Sequence, residues 1–308
     1  MEILLHFGAH KTATTHLQTV LLGSKPAIEK KGIHYWENQE FRENVMREVV
    51  VWHRHLTPVF LLKKLFSPGK YTNRTARSII RRKIEPLQPR YEKLIISEEN
   101  LLGPTGVLYQ DREIYGSAIE RLHHIKGLFQ DLECSPCLAI RNPATFLPSI
   151  YSEALYLHPF RPFKDIYQGR RPEELSWVPL ITAINKVFST RPLTVWTFED
   201  YQKDNRFVID WLTNQSTDKT DLLQDKIHRQ GFSARAIEII TANPPRGLFY
   251  KKQQEAIIQI KTRYPITNDS PKFAPFSPET VTKLTERYQK DLEEIDRISG
   301  VKRLKIST

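Results

Sequence analysis

Ile3-Leu-Leu-His-Phe-Gly-Ala-His-Lys-Thr-Ala-Thr-Thr15, near the amino terminus, sets the architecture of the chain. Glu2 to Phe7 is a short apolar run, Gly8 interrupts it, and a helical pattern follows from Thr14 to Leu22. Strand, glycine turn and helix in that order predict the first unit of a parallel α/β sheet. The loop between them then lies at the carboxyl edge of the sheet, where open α/β proteins bind ligands.

That loop has the composition of an anion cradle. Helix N-termini carry free N–H groups and a partial positive charge. Lys11 adds a full charge, Thr12, Thr14 and Thr15 add hydroxyls, and small Gly8 and Ala13 allow close backbone approach. Gly8, Ala9, His10, Lys11, Thr12, Ala13, Thr14 and Thr15 are therefore the first candidate binding residues, for a phosphate-type group. The loop is not a Walker A sequence, in which lysine follows a second glycine. Here Lys11 comes three residues after Gly8, and Ala13 stands in place of a second glycine.

Outward from this unit the pattern continues. Ser24-Lys-Pro-Ala reads as an N-cap with proline in the first turn. Ile33 to Trp36, Lys93 to Ser97, Pro136 to Ile140 and Pro192 to Phe198 read as strands. Helices are expected over Asn38 to about Leu87, Arg112 to Gln130, Pro143 to Leu157 and Asn205 to Asn214. The last third reads as helical, with Ser233 and Ser277 as N-caps. The expectation is one domain over residues 1–308, with a basic helical insertion at about 38–90 and helical additions from about 232 to 308.

Composition bounds the function. The chain has 308 residues, 40% of them apolar and 26% charged, which fits neither disorder nor a membrane span. Its start lacks the basic n-region and cleavage site of a secretory signal, and two cysteines allow no disulfide framework, so a cytoplasmic setting is expected. Cys134-Ser-Pro-Cys137 lacks the second pair a zinc site needs and does not open a helix, so both thiols are expected to be free. With 46 basic and 35 acidic residues the net charge is +11, which attracts polyanions without choosing among them. Arg74, Arg77, Arg81, Arg82 and Lys83 cluster, either as a solvated helix face or as a docking surface for an anionic acceptor.

A second constellation lies at the end of the Pro136–Ile140 strand. Arg141 sits at its carboxyl end, Asn142-Pro143 starts the next helix, and Ser149 follows two turns along. A guanidinium and a hydroxyl so placed can converge on one phosphate. Pairing of Arg141 with a carboxylate, and a surface place for Ser149, is the structural alternative.

Gly-Ala-His-Lys-Thr-Ala-Thr-Thr after an N-terminal strand resembles the 5′-phosphosulfate loop of sulfotransferases, in its bacterial form. Those enzymes use 3′-phosphoadenosine 5′-phosphosulfate (PAPS). Arg141-Asn-Pro, with Ser149 and Tyr151 after it, is similar to the family's 3′-phosphate motif. Phe198-Glu-Asp-Tyr resembles its later Tyr-Glu-Asp segment, with Phe198 lacking the hydroxyl. His228-Arg-Gln-Gly-Phe resembles the segment that closes over the nucleotide, which makes Arg229 a phosphate-contact candidate. The resemblance touches residues 3 to about 235. It implies a P-loop-like core of parallel strands with helices on both faces and extra C-terminal helices. It also implies PAPS as co-substrate, adenosine 3′,5′-bisphosphate as product, and a hydroxyl-bearing acceptor of carbohydrate or other small-molecule type. An anionic glycan would suit the basic insertion.

Sulfuryl transfer needs a base for the acceptor proton and a cation for the leaving phosphate. It does not require a metal, and the sequence shows no metal-ligand pattern. Lys11 suits the leaving group. Strand Lys93–Ser97 delivers Glu98 and Glu99 to the same edge, where paired carboxylates raise one another's pKa. Glu98 is the expected base, with at least one of the pair structural. His10 is the rival base, or else a hydrogen-bonded brace of its loop. Two other functions compete with this reading: a P-loop-type small-molecule kinase and a polyanion- or nucleic-acid-binding protein without catalysis. The reading adopted expects no nucleic-acid partner and no transmembrane segment, and the sequence carries no signal of oligomeric state.

Overall fold

The computed structural model describes residues 1–46, 73–105, 111, 113–167, 171–214, 231–244 and 250–306. Six strands form one all-parallel sheet: β1 (Glu2–His6), β2 (Ile33–Trp36), β3 (Lys93–Ser97), β4 (Cys134–Ile140), β5 (Leu193–Thr197) and β6 (Val301–Arg303), in the order β2-β3-β1-β4-β5-β6. The central strands are buried nearly throughout, because helices cover both faces and each strand must be apolar on both sides. Alternate residues of β1 divide accordingly. Leu4 packs with Leu17, Val20 and Leu21 on one face, and Ile3 and Leu5 with Leu122, Ile125 and Phe188 on the other.

The first helix, α1 (Thr14–Gly23), begins where the sequence pattern placed it, and α2 (Lys25–Glu29) follows. Ser24 does not cap α2: its φ and ψ are helical and its hydroxyl makes no capping bond. A short helix, α3 (Asn38–Phe41), runs into a π turn at Arg42–Met46, and α4 (Asn73–Ile84) precedes β3. Beyond β3 come α5 (Ala118–Leu128), α6 (Pro143–Leu157), α7 (Val178–Val187), α8 (Phe198–Lys203) and α9 (Arg206–Thr213).

The C-terminal region holds α10 (Ala234–Ala242), α11 (Tyr250–Arg263) and α12 (Pro278–Ile295). Ser233 and Ser277 cap α10 and α12, accepting from the N–H groups of Ala236 and Thr280. This region is not purely helical as expected: Val301–Arg303 returns to the sheet and pairs with Leu193–Val195. Three residues are too short a run to stand out from the charged sequence around them.

Topology places the site. β1 lies between β3 and β4, with His6 in register with Ser97 on one side and Cys137 on the other. The segments after β1, β3, β4 and β5 all leave the same carboxyl edge, on both sides of the central strand. Cys134 and Cys137 both lie within β4, buried and unpaired, and their side chains enter the two opposite cores. Burial pushes the Cys134 thiol up to about 12 and likewise raises that of Cys137 well above its ordinary range.

Candidate active site

The loop after β1 is zipped to β4 beyond the strand proper. The Ala9 N–H donates to the Ala139 carbonyl at 3.0 Å and the Ala139 N–H to the Gly8 carbonyl at 2.6 Å. Gly8 is required here, since its φ is +91° and a Cβ would lie 2.9 Å from the Cβ of Glu99. Lys11 and Ala13 adopt left-handed φ values of 60° and 67°. The hydroxyls of Thr12 and Thr14 were expected to face an anion. They instead donate inward to the Ala9 carbonyl, at 2.7 and 3.1 Å, and only Thr15 of the three is exposed. The N–H groups of Lys11, Thr12 and Ala13 meet no acceptor among the described residues, so donors for an anion come from the backbone rather than from those two side chains.

Three acid–base candidates sit beside this loop, and their surroundings differ. Glu98 is fully buried, and its carboxylate is saturated. Arg42 donates to it at 2.5 and 3.1 Å, Asn38 at 2.8 Å, and the backbone and side-chain N–H groups of Asn100 at 2.9 and 2.6 Å. With no open lone pair it braces the turn after β3, in place of the base expected at this position. His10 is likewise engaged. The Tyr115 hydroxyl accepts from the His10 backbone N–H at 3.2 Å and lies 2.7 Å from Nδ1. The hydroxyl proton then points at Nδ1, and Nε2 carries the ring proton toward Asn100 Oδ1, 3.5 Å away. Burial lowers the His10 pKa to about 4, so the ring is neutral near pH 7 with its one lone pair taken. His10 is the brace of its loop.

Glu99 is the open carboxylate. It keeps 23% of its side-chain surface accessible, and its nearest cation, Arg42, stands 3.5 Å away. Burial raises its pKa to about 7, with Arg42 opposing the shift and Glu98 and Glu153 adding to it. Glu153, on α6, was not singled out by the sequence reading. Its carboxylate stands 3.4 Å from Lys11 Nζ. It lies one turn beyond half-buried Ser149, on the stripe that Thr145 begins, so helical spacing was the signal that could have found it.

Arg141 lies on the same rim as Lys11. Its guanidinium donates to the Lys11 carbonyl at 2.7 Å and, through Nε, to Thr145 Oγ1 at 2.9 Å. It is buried and stacks on the Phe198 ring, 4.2 Å from the centroid. Phe198, noted in the sequence for a missing hydroxyl, thus supplies a platform. Burial lowers the Arg141 pKa to about 10, with Glu199 and Tyr288 opposing, so the group stays cationic. Behind it, Trp177 Nε1 donates to the Arg141 carbonyl at 2.8 Å. Glu199 accepts from the Asn142 N–H at 2.9 Å and from the Tyr288 hydroxyl at 3.1 Å.

Other candidates resolve differently. Arg229, with His228, falls outside the described residues, as do His53 and His55. Of the basic cluster, Arg77 and Arg81 both pair with Asp131 at 2.9 Å and Lys83 pairs with Glu40 at 2.5 Å, so three of its five cations already have partners in the chain. Tyr151 is core, packed edge-on against Phe163. Among the described residues no group of three or more His, Cys, Asp or Glu is placed to hold a metal ion, and no helix is long and apolar enough to cross a membrane.

Compared with known proteins, the sequence matches no family model and no curated protein. Among solved structures the chain is similar in fold to a sulfotransferase domain from the curacin biosynthetic pathway. The TM-score is 0.39 and the identity 13%, over 86% of this chain and 98% of that one.

Proposed function

We propose that this protein is a sulfotransferase that moves a sulfuryl group from PAPS to an acceptor hydroxyl. The observation that carries the reading is the 2.7 Å bond from the Arg141 guanidinium to the Lys11 carbonyl. It joins the two segments that resemble the family's phosphosulfate and 3′-phosphate motifs at one sheet edge. PAPS, when bound, supplies the activated sulfuryl group and a leaving phosphate.

The residues of the chain take distinct parts. Lys11 and the unpartnered N–H groups of its loop hold the phosphosulfate end, and Lys11 neutralises charge growing on the leaving phosphate. Arg141, seated over the Phe198 ring, presents its remaining N–H donors to the 3′-phosphate with Ser149. Glu99 takes the acceptor proton: a carboxylate with a pKa near 7 is substantially ionised at neutral pH and still basic enough to accept. Its open edge returns that proton to solvent. Glu98, Arg42 and His10 fix the turn and loop on which Glu99 and Lys11 ride. The acceptor is a hydroxyl of a carbohydrate or other small molecule. An anionic glycan would draw on the basic cluster, most of which is already ion-paired within the chain.

A thermal-shift panel tests the reading. Adenosine 3′,5′-bisphosphate is expected to stabilise the protein selectively, over ATP–Mg²⁺ and an oligonucleotide. Stabilisation by ATP–Mg²⁺ alone would make it a phosphotransferase, and by the oligonucleotide alone a polyanion binder.

A further inference from the structure

Arg42 belongs to none of the motifs in the sequence, and it opens the π turn Arg42–Met46. Its guanidinium is fixed in one plane. Nε and Nη2 fork onto the Glu98 carboxylate at 2.5 and 3.1 Å, and Glu98 is fully buried. Nη2 also stands 3.5 Å from Glu99 Oε1. Nη1 takes no partner among the described residues, and 41% of the side chain stays accessible. A fixed, unused donor thus stands beside the one carboxylate of the pair that is open.

That pairing restricts what can dock there. An acceptor hydroxyl that gives its proton to Glu99, as its oxygen bonds to sulfur and the leaving phosphate departs, lies within a hydrogen bond of that carboxylate. A second hydroxyl on the adjacent carbon then falls within reach of Arg42 Nη1. An acceptor group beside a donor group is the complement of two neighbouring hydroxyls, one giving a proton and the other receiving a hydrogen bond. Charge points to the same kind of molecule. Glu98 and Glu99 share the single cation Arg42, and Glu98 alone already neutralises it. Lys11 is committed to the leaving phosphate. The ground left for the acceptor is therefore acidic, and an anionic group placed on it meets repulsion.

We infer that Arg42 is an acceptor-binding residue, and that with Glu99 it selects a neutral polyol with two adjacent hydroxyls, not an anionic acceptor. The inference rests on the sulfotransferase reading, with Glu99 as base. It gives the start of the insertion a direct task in acceptor choice, one set by hydrogen-bond pattern and not by its net positive charge.

Initial rates with PAPS and three matched acceptors test it: cis-1,2-cyclohexanediol, cyclohexanol and cis-2-hydroxycyclohexanecarboxylate. The wild-type kcat/KM for the diol is expected to exceed that for cyclohexanol about 10-fold, as for one hydrogen bond to a charged group, with the carboxylate the poorest of the three. Arg42→Lys keeps a charge beside Glu98 but loses the free Nη1. It should cost the diol about 10-fold in kcat/KM, through KM, and leave calorimetric affinity for adenosine 3′,5′-bisphosphate near that of the wild type. Should Arg42→Lys not fold, the wild-type order of the three acceptors decides alone. Equal rates for diol and cyclohexanol, preference for the carboxylate, an unchanged diol KM in Arg42→Lys, or no transfer to any of the three by protein that binds the bisphosphate would overturn the assignment and leave the sulfotransferase reading standing. Failure of the wild type to bind the bisphosphate would overturn that reading, and this assignment with it.

Discussion

The loop after β1 and the corner after β4 present cations to the same sheet edge, and they are held in different ways. Gly8–Ala13 combines bonds of its own, from Thr12 and Thr14 to the Ala9 carbonyl, with ties to Ala139, Tyr115 and Arg141. The Arg141–Asn142 corner is held from far along the chain, by Trp177, Glu199, Thr285 and Tyr288. The difference separates their expected contributions. Under the proposed function, the loop, with Glu99 beneath Gly8, serves the chemistry, and the corner serves grip on the donor.

The sharpest way to break this division is at the two adjacent carboxylates. Glu99→Gln is expected to lower turnover by about 10³-fold, the range for loss of a positioned base, with donor binding retained. The wild-type kcat/KM should rise with pH through about 7 as Glu99 loses its proton, and the variant should lose that limb. Stability supplies a second readout. Because the folded pKa of Glu99 is raised, its ionisation disfavours folding, and stability falls as pH rises from the ordinary carboxylate range through about 7. Glu99→Gln should therefore be more stable than the wild type at pH 8, by about 2 kcal/mol after allowance for its open edge. Glu98→Gln should be less stable instead, by about 3 kcal/mol, because it breaks a buried, fully bonded pair with Arg42. Urea unfolding of the two variants side by side would show shifts of opposite sign. Shifts of the same sign would remove the distinction between base and brace.

A smaller effect is expected at the corner. Tyr288→Phe removes the hydroxyl that holds Glu199, and with it part of the support of Asn142 and Arg141. Tyr288 touches no reacting atom, so the outcome should be a KM for PAPS raised about 5- to 10-fold, the size of one lost hydrogen bond, with kcat unchanged. Steady-state kinetics at varied PAPS separates the two constants. A fall in kcat with KM unchanged would mean that the corner takes part in the chemical step, and the contrast with the loop would go.

The same contrast explains what the sequence could reveal. The parallel sheet was readable because apolar runs and glycine turns are local signals. The edge position of Lys11 was readable because strand, loop and helix start are consecutive, and that of Arg141 because it directly follows a strand. The choice between Glu98 and Glu99 was not readable. It depends on Arg42 and Asn38, which arrive from about 60 positions earlier and fill the acceptor sites of one carboxylate only. The inward turn of Thr12 and Thr14 was hidden for a related reason: composition identifies a donor but not its acceptor. Tyr288 and Thr285 lie on a helix with no motif, and only the tertiary packing of α12 against the Arg141 corner gives them a role.

The smallest predicted effect probes whether the left-handed turn at Ala13 is set locally. Ala13 holds a left-handed φ of 67° at the N-cap of α1, where its Cβ costs about 1–2 kcal/mol. Glycine would relieve that cost but lose about 0.5–1 kcal/mol in unfolded-state entropy. Ala13→Gly should thus raise the unfolding free energy by about 0.5 kcal/mol in urea titration, with the KM for PAPS unchanged. A loop that carries its own strain can be relaxed by one local substitution. If Ala13→Gly instead weakens donor binding, the left-handed turn is held against its preference by the rest of the site, and its geometry is part of the grip on the donor.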